Sequence, residues 1–135
     1  MFNRAIKVAF GVVLLACWLS APAYVTVSGT ISSSQTWGKS SPATDGIYWV
    51  TGNVTVSNGA VLTIEAGVVV KFGGPYSLGI GGTGGGTLTA QGTSSEPIYF
   101  TSIKDDTGGD TNGDGGATSP APGDWYRINF ASGSS

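Results

Sequence analysis

Short runs of β-branched and aromatic residues, each closed by a glycine-containing break, recur from Gly46 to Ser102 and leave room for little but strands. The runs are GIYWV, NVTV, VLTI, VVVKF, TLTA and PIYFTS, and the breaks are TGN, SNGA, EAG, GGTGGG and QGTSSE. Beyond residue 23 no window carries apolar residues at three-to-four spacing without a glycine interrupting it, so an amphipathic helix has no stretch in which to form. Each break holds a glycine able to take the positive φ that tight turns need. The pattern predicts an all-β chain with strands of about four to five residues, at the short end of the usual range.

The breaks also repeat. Laying NGAVLTIEAG and VVVKF over GGTLTAQGTSSEPIYF places Leu62 on Leu88, Thr63 on Thr89 and Phe72 on Phe100, at offsets of 26, 26 and 28 residues. A period in the twenties is the length of one coil of a stacked β-solenoid, in which like side chains pile into inward ladders. Leu62 over Leu88 and Phe72 over Phe100 are the two ladders this predicts. GGTGGG, Gly81 to Gly86, lacks the Lys-Ser/Thr ending and the following helix of a phosphate loop, and is expected to be a coil corner.

The N-terminal stretch has a different character. Arg4 and Lys7 precede an apolar run from Val8 to Leu19, which closes on Ala21-Pro22-Ala23. That order predicts a signal peptide over residues 1–23, cut between Ala23 and Tyr24, and therefore a secreted or cell-surface product. The run is too short for a comfortable membrane span, and no later stretch resembles one. A second reading takes Leu14-Leu15-Ala16-Cys17 as a lipoprotein processing site, with Cys17 as the lipidated residue, although Leu15 and Trp18 fit such a site poorly. Under the first reading the single cysteine is lost, and the mature chain forms no disulfide.

Beyond residue 23, four basic residues (Lys39, Lys71, Lys104, Arg127) face eight acidic ones, a net charge of −4 with no basic stripe. Nucleic acid and anionic lipid are poor partners for such a surface. The chain has no histidine, which with the loss of Cys17 excludes Ser/His and Cys/His catalytic pairs and the usual zinc sites.

Five of the eight acids fall between Asp105 and Asp124, in a glycine-rich insertion over residues 104–124. Within it, Asp110, Asn112 and Asp114 alternate and Gly115 follows, the first half of a D-x-[DN]-x-[DN]-G calcium loop. Calcium takes six to eight oxygens, and alternate acidic side chains on a tight turn can converge on one ion. The Gly116 carbonyl stands where such loops use backbone oxygen. The second half departs from the pattern: Ala121 occupies the place of the bidentate Glu, and no helix flanks the loop. Asp124, or Asp105 and Asp106 folding back, are the residues available to complete the set. Two readings remain, a structural Ca²⁺ site formed by Asp110, Asn112, Asp114, Gly116 and Asp124, or a solvated acidic turn.

Aromatic residues are plentiful, and exposed ones could stack on sugar rings. The favoured reading places Phe72, Phe100 and one member of each Tyr/Trp pair in the interior, with Trp37 as a cap. No catalytic residue is assigned. Arg127 and Asp124 fall on opposite faces of any strand that holds both, Lys71 has no acid on neighbouring runs, and no carboxylate pair spans a groove as a glycosidase requires.

GNVTVSNGAVLTIEAGVVVKF, then GTLTAQGTSSEPIYFTSIKDD, then GDTNGDG leading to SPAPGDW, resemble the N-terminal region of secreted bacterial right-handed parallel β-helix proteins of the pectin-lyase-like superfamily. VSGTISSSQTW is similar to the leader before the first coil in that group. The resemblance implies a fold and leaves activity open, because the scaffold carries lyases, hydrolases, adhesins and surface proteins alike. The expected organisation is a leader or cap over 24–52, then the start of a parallel β-helix over 53–135, about two to three coils in all. The run WYRINFASGSS ends in a strand with no polar cap, so a fragment of a longer solenoid is expected. The expected function is an exported structural or adhesive module whose side face binds polysaccharide or surface proteins. The alternative is the non-catalytic N-terminal part of a polysaccharide lyase or glycoside hydrolase.

Overall fold

The computed structural model describes residues 24–40, 43 and 45–135; the expected signal peptide, its cut after Ala23 and Cys17 lie outside these residues. Nine strands form among the described residues: β1 Tyr24–Ile31, β2 Gln35–Trp37, β3 Ile47–Val56, β4 Ala60–Ile64, β5 Val69–Phe72, β6 Ser77–Ile80, β7 Gly86–Ala90, β8 Tyr99–Ser102 and β9 Arg127–Phe130. Among the described residues there is no helix, and therefore none long and apolar enough to cross a membrane.

Every ladder is parallel. The first halves of β1 and β3 continue through β5 to β8, and their second halves continue through β6 to β9. A separate stack runs β2, β4, β7. Successive turns of chain therefore lie directly on one another, a parallel β-helix. The segment expected as a leader, 24–52, supplies β1, β2 and the first half of β3, so its strands are already in the ladders. Three further coils follow that first turn.

Period-two alternation decides which residues face inward. Val25, Tyr48, Val70 and Phe100 make one inward row, and Val54, Leu78 and Ile128 another. Leu62 pairs with Leu88 and Thr63 with Thr89, as the repeat predicts. The Phe72–Phe100 ladder does not form. Phe72 pairs with Ser102 and Phe100 with Val70, because the corner between β7 and β8 is four residues longer than the one between β4 and β5. A small serine beneath Phe72 leaves space, which the Trp125 ring fills by stacking at 4.6 Å and 8°. Trp37, Leu62, Ile64, Val70, Phe72, Leu78 and Ile80 are buried and pack as one core. Trp37 stacks on Tyr48 at 4.8 Å, while the Tyr48 hydroxyl accepts the Gly38 amide at 2.9 Å. Burial raises the pKa of that phenol.

One corner explains the glycine breaks. Gly59, Gly85 and Gly133 fall at the same place in successive coils, with φ of 73°, 74° and 78°. The amide of Gly59 donates to the Gly85 carbonyl, and that of Gly86 to the Gly133 carbonyl, so the corner hydrogen-bonds from coil to coil. Gly81 to Gly86 is thus a coil corner.

Candidate functional site

Two features stand on the outside of the coil, the acidic insertion and a polar groove. The insertion begins at the end of β8. The Thr101 hydroxyl donates to Asp105 Oδ2 at 2.6 Å and the Thr107 amide to Oδ1 at 2.9 Å, which turns the chain back over the sheet. These donors, the Thr101 hydroxyl first, hold the Asp105 carboxyl below its ordinary pKa. Gly108 then lies against Val69 and Ile47, outward residues that would otherwise meet solvent.

Lys71 fastens this segment. It projects outward from β5 yet is wholly buried, and its Nζ donates to the carbonyls of Asp105 at 2.7 Å and Gly109 at 2.6 Å. Burial lowers its pKa, against the fields of Asp105, Asp106 and Asp110. Sequence reasoning missed this role. The available signal was a single lysine in an otherwise apolar run, whose partner is a carbonyl 34 residues away and not an acid on a neighbouring strand.

Past Gly109 the loop folds around its own carboxylates. Asp110 accepts the amides of Gly113, Asp114 and Gly115 at 2.7, 3.1 and 2.8 Å. Asp114 accepts those of Gly116 and Ala117 on one oxygen and the Thr118 hydroxyl on the other. The Thr118 contact is the main cause of the lowered Asp114 pKa. One carboxylate oxygen each from Asp106, Asp110 and Asp114 lie within 4.8 Å of one another.

Of the five residues expected to form an ion site, Asp110 and Asp114 are brought together. Asn112 donates its amide to Asp114 Oδ2 at 2.8 Å, and Gly116 lies beside Asp106. Asp124 is not in the cluster. Its Oδ1 accepts Lys104 Nζ at 2.8 Å and its Oδ2 the Ala121 amide at 2.9 Å, and Lys104 foremost depresses its pKa to about 2. Asp106 stands third in its place, because the Lys71 clamp folds the start of the insertion back. Three carboxylates clustered this closely offer hard oxygen ligands of the kind calcium or a similar cation takes.

The second feature is a groove of about 460 Å³ on the sheet formed by the second half of β3 with β6 and β9. Its floor is the outward set of these strands: Asn53, Thr55, Ser77, Gly79, Arg127 and Asn129. Gly79 has no side chain to fill the space between Thr55 and Asn129, so the trough stays open there. Asn53 Oδ1 accepts the Ser77 amide at 2.9 Å and is thereby fixed. Tyr126, 69% exposed, stands at one end beside Arg127. The lining combines amides, hydroxyls, one cation and one aromatic ring, and no carboxylate pair is among it.

No curated protein and no solved structure matches the chain. The family model described as pectate-lyase like beta helix domain matches residues 29–117, well over half of the sequence. The stacked parallel coils agree with that match, and the chain belongs to the pectate-lyase like beta helix domain family.

Proposed function

We propose that this chain is a non-catalytic β-helix module of an exported protein, structural or adhesive in role, which binds a glycan along its side face. The observation that carries the reading is the groove over β3, β6 and β9. Its amide and hydroxyl groups suit sugar hydroxyls, and an exposed tyrosine at its end suits the face of a pyranose ring. Export is supported by the charged and then apolar order of residues 1–23. A glycan array, followed by titration calorimetry on the best ligand, tests the groove. Tyr126→Ala is expected to weaken binding roughly fivefold, equivalent to about 1 kcal/mol for one aromatic platform. Absence of any glycan ligand, or binding indifferent to both Tyr126→Ala and Asn129→Ala, overturns it. The alternative, a part of a lyase or hydrolase, requires release of cut oligosaccharide by the protein.

A structural calcium is the second element of the proposal, favoured by the convergence of Asp106, Asp110 and Asp114. Calcium titration should give saturable heat and a raised melting temperature, both weakened by Asp110→Ala or Asp114→Ala. No heat and no thermal shift at millimolar calcium would sink the idea.

A further inference from the structure

The sequence contains two Asn-Gly pairs, Asn58-Gly59 and Asn112-Gly113, and the fold sets them in opposite situations. An asparagine followed by glycine is chemically vulnerable. The next residue's backbone nitrogen can attack the side-chain amide carbon, and only glycine leaves that nitrogen unhindered and the backbone free to reach the required geometry.

Both asparagine side chains are exposed, so the difference lies in the backbone. Asn58 sits at the corner of a coil with φ of 57°. Its amide donates to the Thr83 carbonyl at 3.0 Å, and the Gly59 nitrogen is committed to the Gly85 carbonyl at 3.0 Å. Attack from Gly59 must first break a contact between coils. The Gly113 nitrogen has no such tie: it donates to Asp110 Oδ1, a carboxylate of the same exposed loop, at 2.7 Å. The Asn112 side chain is held only by groups of that same exposed loop. Its Oδ1 faces the Asp114 amide at 3.4 Å, which draws electron density from Cγ. Its Nδ2 donates to Asp114 Oδ2 at 2.8 Å and Thr118 Oγ1 at 3.2 Å, contacts inside the same exposed loop that open before Nδ2 takes up a proton and leaves.

We propose that Asn112 is a site of spontaneous deamidation through a cyclic imide. The Gly113 N–Cγ bond forms and the Cγ–Nδ2 bond breaks. The proton lost from Gly113 nitrogen leaves with Nδ2 as ammonia. Water then adds across one of the two imide C–N bonds and leaves either aspartate or an isoaspartyl linkage at position 112. Either product adds a carboxylate to a loop in which Asp106, Asp110 and Asp114 already converge. The isoaspartyl product also lengthens the backbone between residues 112 and 113, which pulls the Gly113 and Gly115 amides away from Asp110. The modification therefore alters the charge and the shape of the insertion with age and leaves the coil core untouched.

The test is peptide mapping by mass spectrometry of the folded protein, incubated at mildly alkaline pH in ¹⁸O-labelled water. Label should enter the Asn112 peptide about tenfold or more faster than the Asn58 peptide, because the latter site must first open locally. In denaturant the two rates should converge, which assigns the selectivity to the fold. Asn112→Gln should abolish the conversion of its own peptide and leave that of Asn58 unchanged. Conversion at Asn58 as fast as at Asn112 in the folded protein overturns the proposal. So does an Asn112 peptide that stays unmodified while the denatured protein converts.

Discussion

Replacing Lys71 by methionine should release the acidic insertion and leave the coil standing. The two side chains are similar in length, so the buried stem is kept and only the ammonium is lost. Exchanging a buried charge for an apolar group is often neutral when both partners of a pair are replaced. Here the partners are the backbone carbonyls of Asp105 and Gly109, which no side-chain substitution removes. Left facing a methyl group, each costs about 1–3 kcal/mol. Taking roughly 3 kcal/mol for the pair, the equilibrium for lifting the segment shifts about a hundredfold, since each 1.4 kcal/mol is a factor of ten. Amide hydrogen exchange reads this directly. The Asp105 and Gly109 amides, bonded to the carbonyls of Ser102 and Asp106, should exchange about a hundredfold faster in the variant. Core amides such as Ile64 in β4 should hold their protection, and cleavage by a nonspecific protease should concentrate between Gly109 and Gly123. Unchanged exchange at Asp105 and Gly109 would refute the clamp. Equal acceleration in β4 would show that Lys71 supports the whole coil and not the insertion.

Three other outcomes are expected. Leu62→Ala removes a fully buried side chain from the Leu62–Leu88 ladder and should lower the unfolding free energy by about 2–5 kcal/mol in urea titrations, whereas Thr63→Ala on the half-buried outward row should cost well under half as much. Gly86→Ala should destabilise strongly, because a Cβ there meets the Val56 carbonyl oxygen of the coil before it and cannot be accommodated without backbone movement. Asp105 and Asp124 both have folded pKa values below the ordinary 3.8, so the folded state binds fewer protons than the unfolded chain at acid pH. Their stabilising contribution is complete above 3.8 and is lost as pH falls through the lowered folded values, which for Asp124 is about 2. Melting temperatures across that range should show the decline, and Lys104→Met should flatten it by removing the main cause of the Asp124 shift.

The strands were legible in the sequence because they rest on local rules, and their stacking because Leu62 and Leu88 repeat at 26 residues and the runs resemble a parallel β-helix. Alternation of small β-branched residues with glycine breaks excludes helix, and the Leu62–Leu88 repeat has one register that keeps apolar residues inward. Phe72 shows the limit of that reasoning. Its partner depends on the length of a corner, and four extra residues between β7 and β8 moved Phe100 onto Val70. The two-residue error preserved the inward face, since the strand period is two, but replaced a Phe ladder with a Phe72–Trp125 stack.

The acidic loop divides in the same way. Asp110 and Asp114 were recognisable as a convergent pair because alternate positions on a tight turn face the same side, and that is a property of a few adjacent residues. Whether Asp106 or Asp124 joins them is settled elsewhere. Lys71, from another coil, draws the start of the insertion down onto the sheet, while Lys104 holds Asp124 away. Sequence alone determined that this chain forms stacked parallel strands with an acidic insertion, because backbone propensity and period act over short distances. Only the tertiary structure decided which carboxylates meet, which outward residues are covered and which asparagine is free to react. Those outcomes depend on contacts between residues 20 or more positions apart, and nothing in the local pattern carries their distance.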